Sequence, residues 1–141
     1  GPKLLPADQA FRLSARALDA TTLEIRFDVA DGYYLYRDKL KFGVEPAAAG
    51  PGVPVLPPGK VIEDEFFGRV ATYRGPVVIR LPLAAGQPGG SVSLEVDSQG
   101  CADAGVCYPP QQQRLTLPLP RAGAAPSAPV DASPSKKPYF N

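Results

Sequence analysis

The obvious reactive groups of this chain are two thiols, Cys101 and Cys107, within Gly100-Cys101-Ala102-Asp103-Ala104-Gly105-Val106-Cys107-Tyr108-Pro109-Pro110. Alternating runs at Val92–Val96 and Leu115–Leu119 flank them, so the pair sits about a hairpin connection. Across such a turn their Cα atoms can approach within the roughly 4.4–6.8 Å that a disulfide requires. Two uses of that bond stay open on spacing alone. A structural staple closing so small a loop contributes about 2.4 kcal/mol, against about 4.7 for a loop of 100 residues. A redox-active pair is the other, and a C-x5-C spacing is far less specific for it than C-x-x-C. The chain has no histidine, so neither a Ser-His or Cys-His nucleophile nor a His-containing zinc site can be built. Cys101, Cys107 and Asp103 together would give a metal only three ligands, and no metal or other cofactor is expected.

Two other clusters stand out. Glu63-Asp64-Glu65-Phe66-Phe67-Gly68-Arg69 sets three carboxylates before two adjacent aromatics and a glycine. Adjacent side chains in a strand point to opposite faces, so one phenylalanine is exposed unless it covers something. The loop reads either as an ordinary strand start or as a lid over a reactive site. In Asp31-Gly32-Tyr33-Tyr34-Leu35-Tyr36-Arg37, three of the six tyrosines fall within four positions. They suit packing with each hydroxyl on a polar partner, or a protein-binding surface.

The elements that must position these groups are strands. The 141 residues allow one domain, and 44% hydrophobic content supplies a normal core. Eighteen prolines and fourteen glycines interrupt the chain too often for long helices. Leu23, Ile25, Phe27 and Val29 alternate with polar residues, as do Phe11, Leu13, Ala15 and Ala17 before them, joined through Leu18–Thr21. Further alternation appears at Leu40–Val44, Val77–Leu83, Val92–Val96 and Leu115–Leu119. Shorter candidates lie at Tyr33–Tyr36, Val53–Leu56, Lys60–Ile62 and Arg69–Tyr73. Pro54, Pro82 and Pro118 mark edges or strand ends. Asp8–Leu18 reads as a strand rather than a helix. About seven to nine short strands indicate an all-β, immunoglobulin-like β-sandwich, with a small closed barrel as the alternative. Fifteen Lys+Arg against fourteen Asp+Glu leave a net charge of +1, without the basic excess a nucleic-acid binder carries. No apolar stretch is long enough to span a bilayer.

The chain divides into residues 1–3, with Gly1-Pro2 reading as the scar of a cleaved tag, a domain over residues 4–120, and an Ala/Pro/Ser-rich linker over residues 121–141. The closing Tyr139 and Phe140 either end that linker or dock back on the domain.

Taken together, Pro6–Phe11 (PADQAF), Asp31–Arg37 (DGYYLYR), Glu63–Gly68 (EDEFFG) and Gly100–Pro110 (GCADAGVCYPP) closely resemble one family. It is the N-terminal periplasmic domain of DsbD, the bacterial transmembrane thiol:disulfide interchange protein, and the likeness runs from about Leu5 to Leu119. The resemblance implies an immunoglobulin-like sandwich with an inserted active-site subdomain and a cap loop. It implies that Cys101 and Cys107 form a reversible disulfide, with Cys107 making the mixed disulfide with partners and Cys101 resolving it. The cap would be Asp64, Glu65, Phe66, Phe67 and Gly68, with Phe66 lying over the cysteines. Tyr34, Tyr36, Asp103 and Tyr108 would surround the site. Electrons would come from the thioredoxin-like C-terminal domain of the same membrane protein. They would pass to DsbC, DsbG and the thioredoxin-like cytochrome c maturation factor in the periplasm, with the isolated domain a monomer. A plain binding sandwich with a structural disulfide is the competing expectation.

Charge near the thiols has an expected sign. Arg37, Lys39 and Arg69 would favour a thiolate if they approach it, whereas Asp64, Glu65 and Asp103 oppose it. The thiol pKa is therefore expected to be normal or raised.

Overall fold

The computed structural model describes residues 3–132. Twelve strands follow in chain order: β1 (Phe11–Asp19), β2 (Thr22–Val29), β3 (Tyr33–Tyr36), β4 (Lys41–Glu45), β5 (Lys60–Asp64), β6 (Gly68–Tyr73), β7 (Gly75–Pro82), β8 (Ser91–Ser98), β9 (Gly100–Ala102), β10 (Val106–Cys107), β11 (Gln111–Pro118) and β12 (Val130–Asp131). A single helical turn, Ala7–Ala10, precedes β1, so the strand expected from Asp8 starts at Phe11.

The period-two pattern fixes which faces meet. One sheet has the order β12-β1-β2-β7 and a second the order β11-β8-β4. Their inward residues form one core, with Leu23, Ile25, Phe27, Ile79, Leu81, Leu94, Val96 and Leu117 fully enclosed. This is the immunoglobulin-like sandwich, held by apolar burial between two antiparallel sheets. A third sheet, ordered β10-β9-β3-β6-β5, is the inserted subdomain and carries both cysteines and the acidic-aromatic loop. Strand β3 joins the two parts. Tyr33 and Leu35 turn into the sandwich core, whereas Tyr34 and Tyr36 belong to a separate small cluster with Cys101. All four residues are therefore buried, which alternation with a solvent face would not produce.

Three expectations are corrected. Val53–Leu56 forms no strand; it makes one isolated bridge, Val55 to Arg80. Pro51, Pro54, Pro57 and Pro58 lie in and around that stretch, and proline cannot donate to a ladder. The strand count exceeds nine because β9, β10 and β12 are too short to show a period. The stretch expected to be linker from residue 121 docks in part on the domain. Ser14 and Ala15 of β1 pair with Asp131 and Val130, the Ala17 N–H donates to Ser127 Oγ at 2.9 Å, and the Ala132 N–H donates to Leu13 O. Backbone groups and one serine hydroxyl make this contact, so an Ala/Pro/Ser composition does not announce it. Gly1, Pro2, Tyr139 and Phe140 lie outside the described residues.

The covered edge gives a test. Truncation after Gly123 removes β12, leaves β1-β2-β7 and β11-β8-β4 in place, and uncovers the β1 edge. The chain is expected to stay folded while the Ala17 amide exchanges its hydrogen at least several-fold faster, measured residue by residue by hydrogen-exchange NMR.

Candidate functional site

The site is a row of neighbours across three strands. Tyr34 on β3 is paired with Cys101 on β9, and Cys101 with Cys107 on β10. The Tyr108 N–H donates to Gly100 O at 3.0 Å, which makes Cys101 and Cys107 a non-hydrogen-bonded pair, the closer of the two antiparallel pairings. Their Cα atoms are 4.0 Å apart and the sulfurs are joined in a disulfide. The hairpin between them closes at Gly105, whose φ of +94° suits glycine. Gly100 has to be glycine for another reason. A Cβ there would lie 2.5 Å from both Phe11 Cε1 and Tyr34 O, so the hairpin could not sit this close to the sandwich.

The two cysteines differ in exposure. Cys101 is 0% exposed, whereas Cys107 is partly open. The Tyr36 hydroxyl lies 2.9 Å from Cys101 Sγ and 3.8 Å from Cys107 Sγ.

Asp64, at the end of β5, organises the surroundings. It is 7% exposed. Oδ2 accepts from the Tyr36 hydroxyl at 2.8 Å and also from the Tyr34 hydroxyl. Oδ1 accepts from the backbone N–H groups of Phe66 and Phe67, both at 2.8 Å. Burial pushes the Asp64 pKa up, but the two hydroxyls and two amides outweigh it and leave the carboxyl below its usual value. Burial, reinforced by the Asp64 carboxylate, pushes Tyr34 up to about 12 and Tyr36 well above its ordinary value. Both tyrosines thus remain hydroxyls at any physiological pH.

Loop residues 64–68 bend through this Asp64 turn and Gly68, whose φ is +76°. Phe66 and Phe67 are each 44% exposed. The Phe67 ring packs edge-on against Tyr36, centroids 4.9 Å apart, with Lys39 Nζ 4.6 Å from its centroid. Glu65 Oε1 lies 3.5 Å from where a Cβ on Gly105 would be, so the loop reaches the turn between the cysteines. Tyr108 stands on the sandwich side, its ring edge-on to Phe11 at 5.4 Å and its hydroxyl donating to Leu5 O. Burial, then its contact with Tyr33, pushes it up to about 12.

Two cations named from sequence are engaged elsewhere. Arg37 donates to Pro57 O and pairs with Asp38, and Arg69 pairs with Glu63 at 3.8 Å. The residue that sequence reasoning passed over is Arg74, between β6 and β7. It forms two bonds with Asp103, at 2.9 and 2.8 Å, and lies over the Tyr34 ring at 5.2 Å. The Arg74 bond lowers the Asp103 pKa against a smaller opposing effect of burial. Its place in Tyr-Arg-Gly-Pro, a turn signal, gave no hint of a partner far along the chain. Among the described residues no group of three His, Cys, Asp or Glu side chains could hold a metal.

Residues 1–119 match the family described as Thiol:disulfide interchange protein DsbD, N-terminal. The chain belongs to this family. It is 45% identical over 131 residues to the thiol:disulfide interchange protein DsbD of Ralstonia nicotianae, covering 92% of this chain and 21% of that protein. It is 44% identical over 125 residues to DsbD 2 of Pseudomonas aeruginosa, covering 88% and 19%. The chain thus spans about a fifth of these relatives. Among solved structures, the reduced N-terminal domain of Neisseria meningitidis DsbD superposes with a TM-score of 0.78 at 32% identity, over 92% of this chain and 96% of that one. The same Neisseria domain in complex with the PilB N-terminal domain gives a TM-score of 0.69 at 34% identity, over 92% and 95%. Cys101 and Cys107 are the only two cysteines of the chain. No helix among the described residues is long and apolar enough to cross a membrane.

The depressed Asp64 pKa has a sign that can be checked. Its folded value lies below the unfolded one, so its contribution is present above the unfolded value and lost as pH falls through the folded value. Stability should therefore decline as pH drops below about 4, where unfolded aspartates titrate, and Asp64→Asn should be less stable at neutral pH with a shallower acid slope. Urea melts of the two proteins across pH 2–7 measure it; parallel slopes would remove Asp64 as a contributor.

Proposed function

We propose that this domain carries electrons between thioredoxin-fold proteins through reversible opening of the Cys101–Cys107 disulfide, with Cys107 the sulfur that partners reach. The observation that carries the reading is the difference in access: Cys101 is fully enclosed and Cys107 is not. Disulfide exchange requires a thiolate to approach a sulfur in line, so access selects the sulfur attacked. The electron donor is the thioredoxin-like C-terminal domain of DsbD. The acceptors are DsbC, DsbG and the thioredoxin-like cytochrome c maturation factor, and the compartment is the periplasm. The domain would then act as the protein-disulfide reductase portion of a larger membrane enzyme. The Neisseria complex with PilB, formed by a homologous domain, supports a protein partner of this kind.

The exchange balances as follows. A donor thiolate attacks Cys107 Sγ, forming a mixed disulfide and releasing Cys101 as a thiolate. The donor's second thiol, losing its proton, attacks its own bridging sulfur. It leaves as a disulfide, and Cys101 and Cys107 take up two protons to become thiols. In the forward half, the Cys107 thiolate attacks an acceptor disulfide and Cys101 then resolves the adduct. Tyr36, held as a hydroxyl 2.9 Å from Cys101 Sγ, can hydrogen-bond the Cys101 thiolate as it leaves by turning its one proton from Asp64 Oδ2 to the sulfur, while Tyr34 and the two loop amides still donate to Asp64.

The loop of Asp64, Glu65, Phe66, Phe67 and Gly68 acts as the cap. Asp64 anchors its backbone to the tyrosines, and Phe66 is assigned the shield over the sulfurs while Phe67 braces Tyr36. Two measurements test these assignments. Cys101→Ala incubated with an oxidised thioredoxin-fold protein should accumulate a covalent adduct through Cys107, seen by intact mass, whereas Cys107→Ala should give none. A disulfide that resists a reduced thioredoxin-like protein, and a variant that traps nothing, would mark a structural staple instead. Phe66→Ala, with folding verified, should alkylate reduced Cys107 several-fold faster than the wild type, and Phe67→Ala should not. Equal rates for Phe66→Ala and wild type would end the shield assignment.

A further inference from the structure

We infer that Arg74 is a positioning residue for the disulfide exchange proposed above: it fastens the turn between the two cysteines and neutralises the Asp103 carboxylate beside them. Asp103 lies two residues beyond Cys101, at the start of the turn that leads to Cys107. Its carboxylate receives both Arg74 terminal nitrogens, Nη1 on Oδ2 at 2.9 Å and Nη2 on Oδ1 at 2.8 Å. Nη1 also donates to Tyr33 O at 3.3 Å, and the guanidinium lies over the Tyr34 ring, 5.2 Å from its centroid. One side chain therefore grips the cysteine turn, the β3 backbone and the tyrosine that bonds Asp64. Planar two-point geometry of this kind is available to arginine and not to lysine.

The arrangement is poorly explained as a stabilising ion pair. Both side chains are 48% exposed, and pairs so open to water contribute little to stability. Its value lies in the reduced state. Reduction admits two electrons and two protons and removes the covalent link between β9 and β10. The bond from the Asp103 N–H to Gly32 O and the Arg74 fork then continue to tie the turn to the domain. The fork also removes a charge that would oppose a thiolate. The remaining charged and titratable groups about the sulfurs are Tyr36 and Tyr34 on β3, Asp64 on β5, Glu65 beside Gly105, and Lys39 on the Phe67 ring. Among the described residues, the two carboxylates in that set have no arginine partner of comparable geometry.

The effect runs through charge, so a double-variant cycle reads it. In the full chain with Cys101→Ser, the Cys107 alkylation rate is followed against pH. Adding Arg74→Ala strands the Asp103 charge and should raise the midpoint by about half a unit, a roughly threefold loss of thiolate near neutral pH. Arg74→Ala with Asp103→Asn should bring the midpoint back, and Arg74→Lys should retain most of it. Thermal melts check folding, and Arg74→Gln replaces Arg74→Ala in both arms if the alanine variant does not fold. An unmoved midpoint, or one that stays raised when Asp103 is also neutralised, overturns the inference. Exchange of the unsubstituted chain with a reduced thioredoxin-fold protein is run alongside. Failure there removes the proposed function itself, whereas exchange with an unmoved midpoint removes only the role of Arg74.

Discussion

A single buried carboxylate holds the site together. Asp64 receives two phenolic hydroxyls on one oxygen and two loop amides on the other. A buried anion is costly unless such donors surround it. Each donor in turn fixes an element of the site: Tyr34 and Tyr36 fix β3, and the amides of Phe66 and Phe67 fix the loop of residues 64–68. That loop and the sulfurs are thereby parts of one network, because the Tyr36 hydroxyl bonds Asp64 and also touches Cys101 Sγ. Any displacement of the loop would break amide bonds to Asp64 and alter the solvation of the carboxylate shared with the sulfur's neighbour. Access and chemistry are coupled through this one group.

The sandwich contributes a buried core on which the site is set. Strand β3 shows how: Tyr33 and Leu35 are sunk in the core while Tyr34 and Tyr36 face the cysteines. The tyrosine hydroxyls therefore have a fixed origin. Gly100 extends the same logic, since its missing Cβ lets the cysteine hairpin lie against Phe11 and the Tyr34 backbone.

Much of this could be read in the sequence. Clean alternation at Thr22–Val29 and Gly75–Pro82 located the sandwich because each strand has one wet face. The cysteine, tyrosine and acidic-aromatic clusters named most of the site because unusual residue types gather there. Strands β9 and β10 escaped notice, since two or three residues define no period. Arg74 escaped for a related reason: an arginine in a turn is ordinary, and its meaning comes from a carboxylate brought to it by the pairing of β9 with β3. The buried Asp64 network was likewise hidden, because a sequence shows three acids and not which of them is enclosed.

The short strand β12 reverses the course of the chain after β11. With its flanking residues it runs antiparallel to β1, Ser127 lying beside Ala17 and Ala132 beside Leu13. Phe11, at the start of β1, is the residue that packs against Tyr33, Tyr108 and the glycine before Cys101. The backbone thus doubles back and brings residue 132 to the disulfide end of the sandwich, away from the end where β11 finishes. Residues held in this pairing lose the reach that an Ala/Pro/Ser composition would otherwise give them.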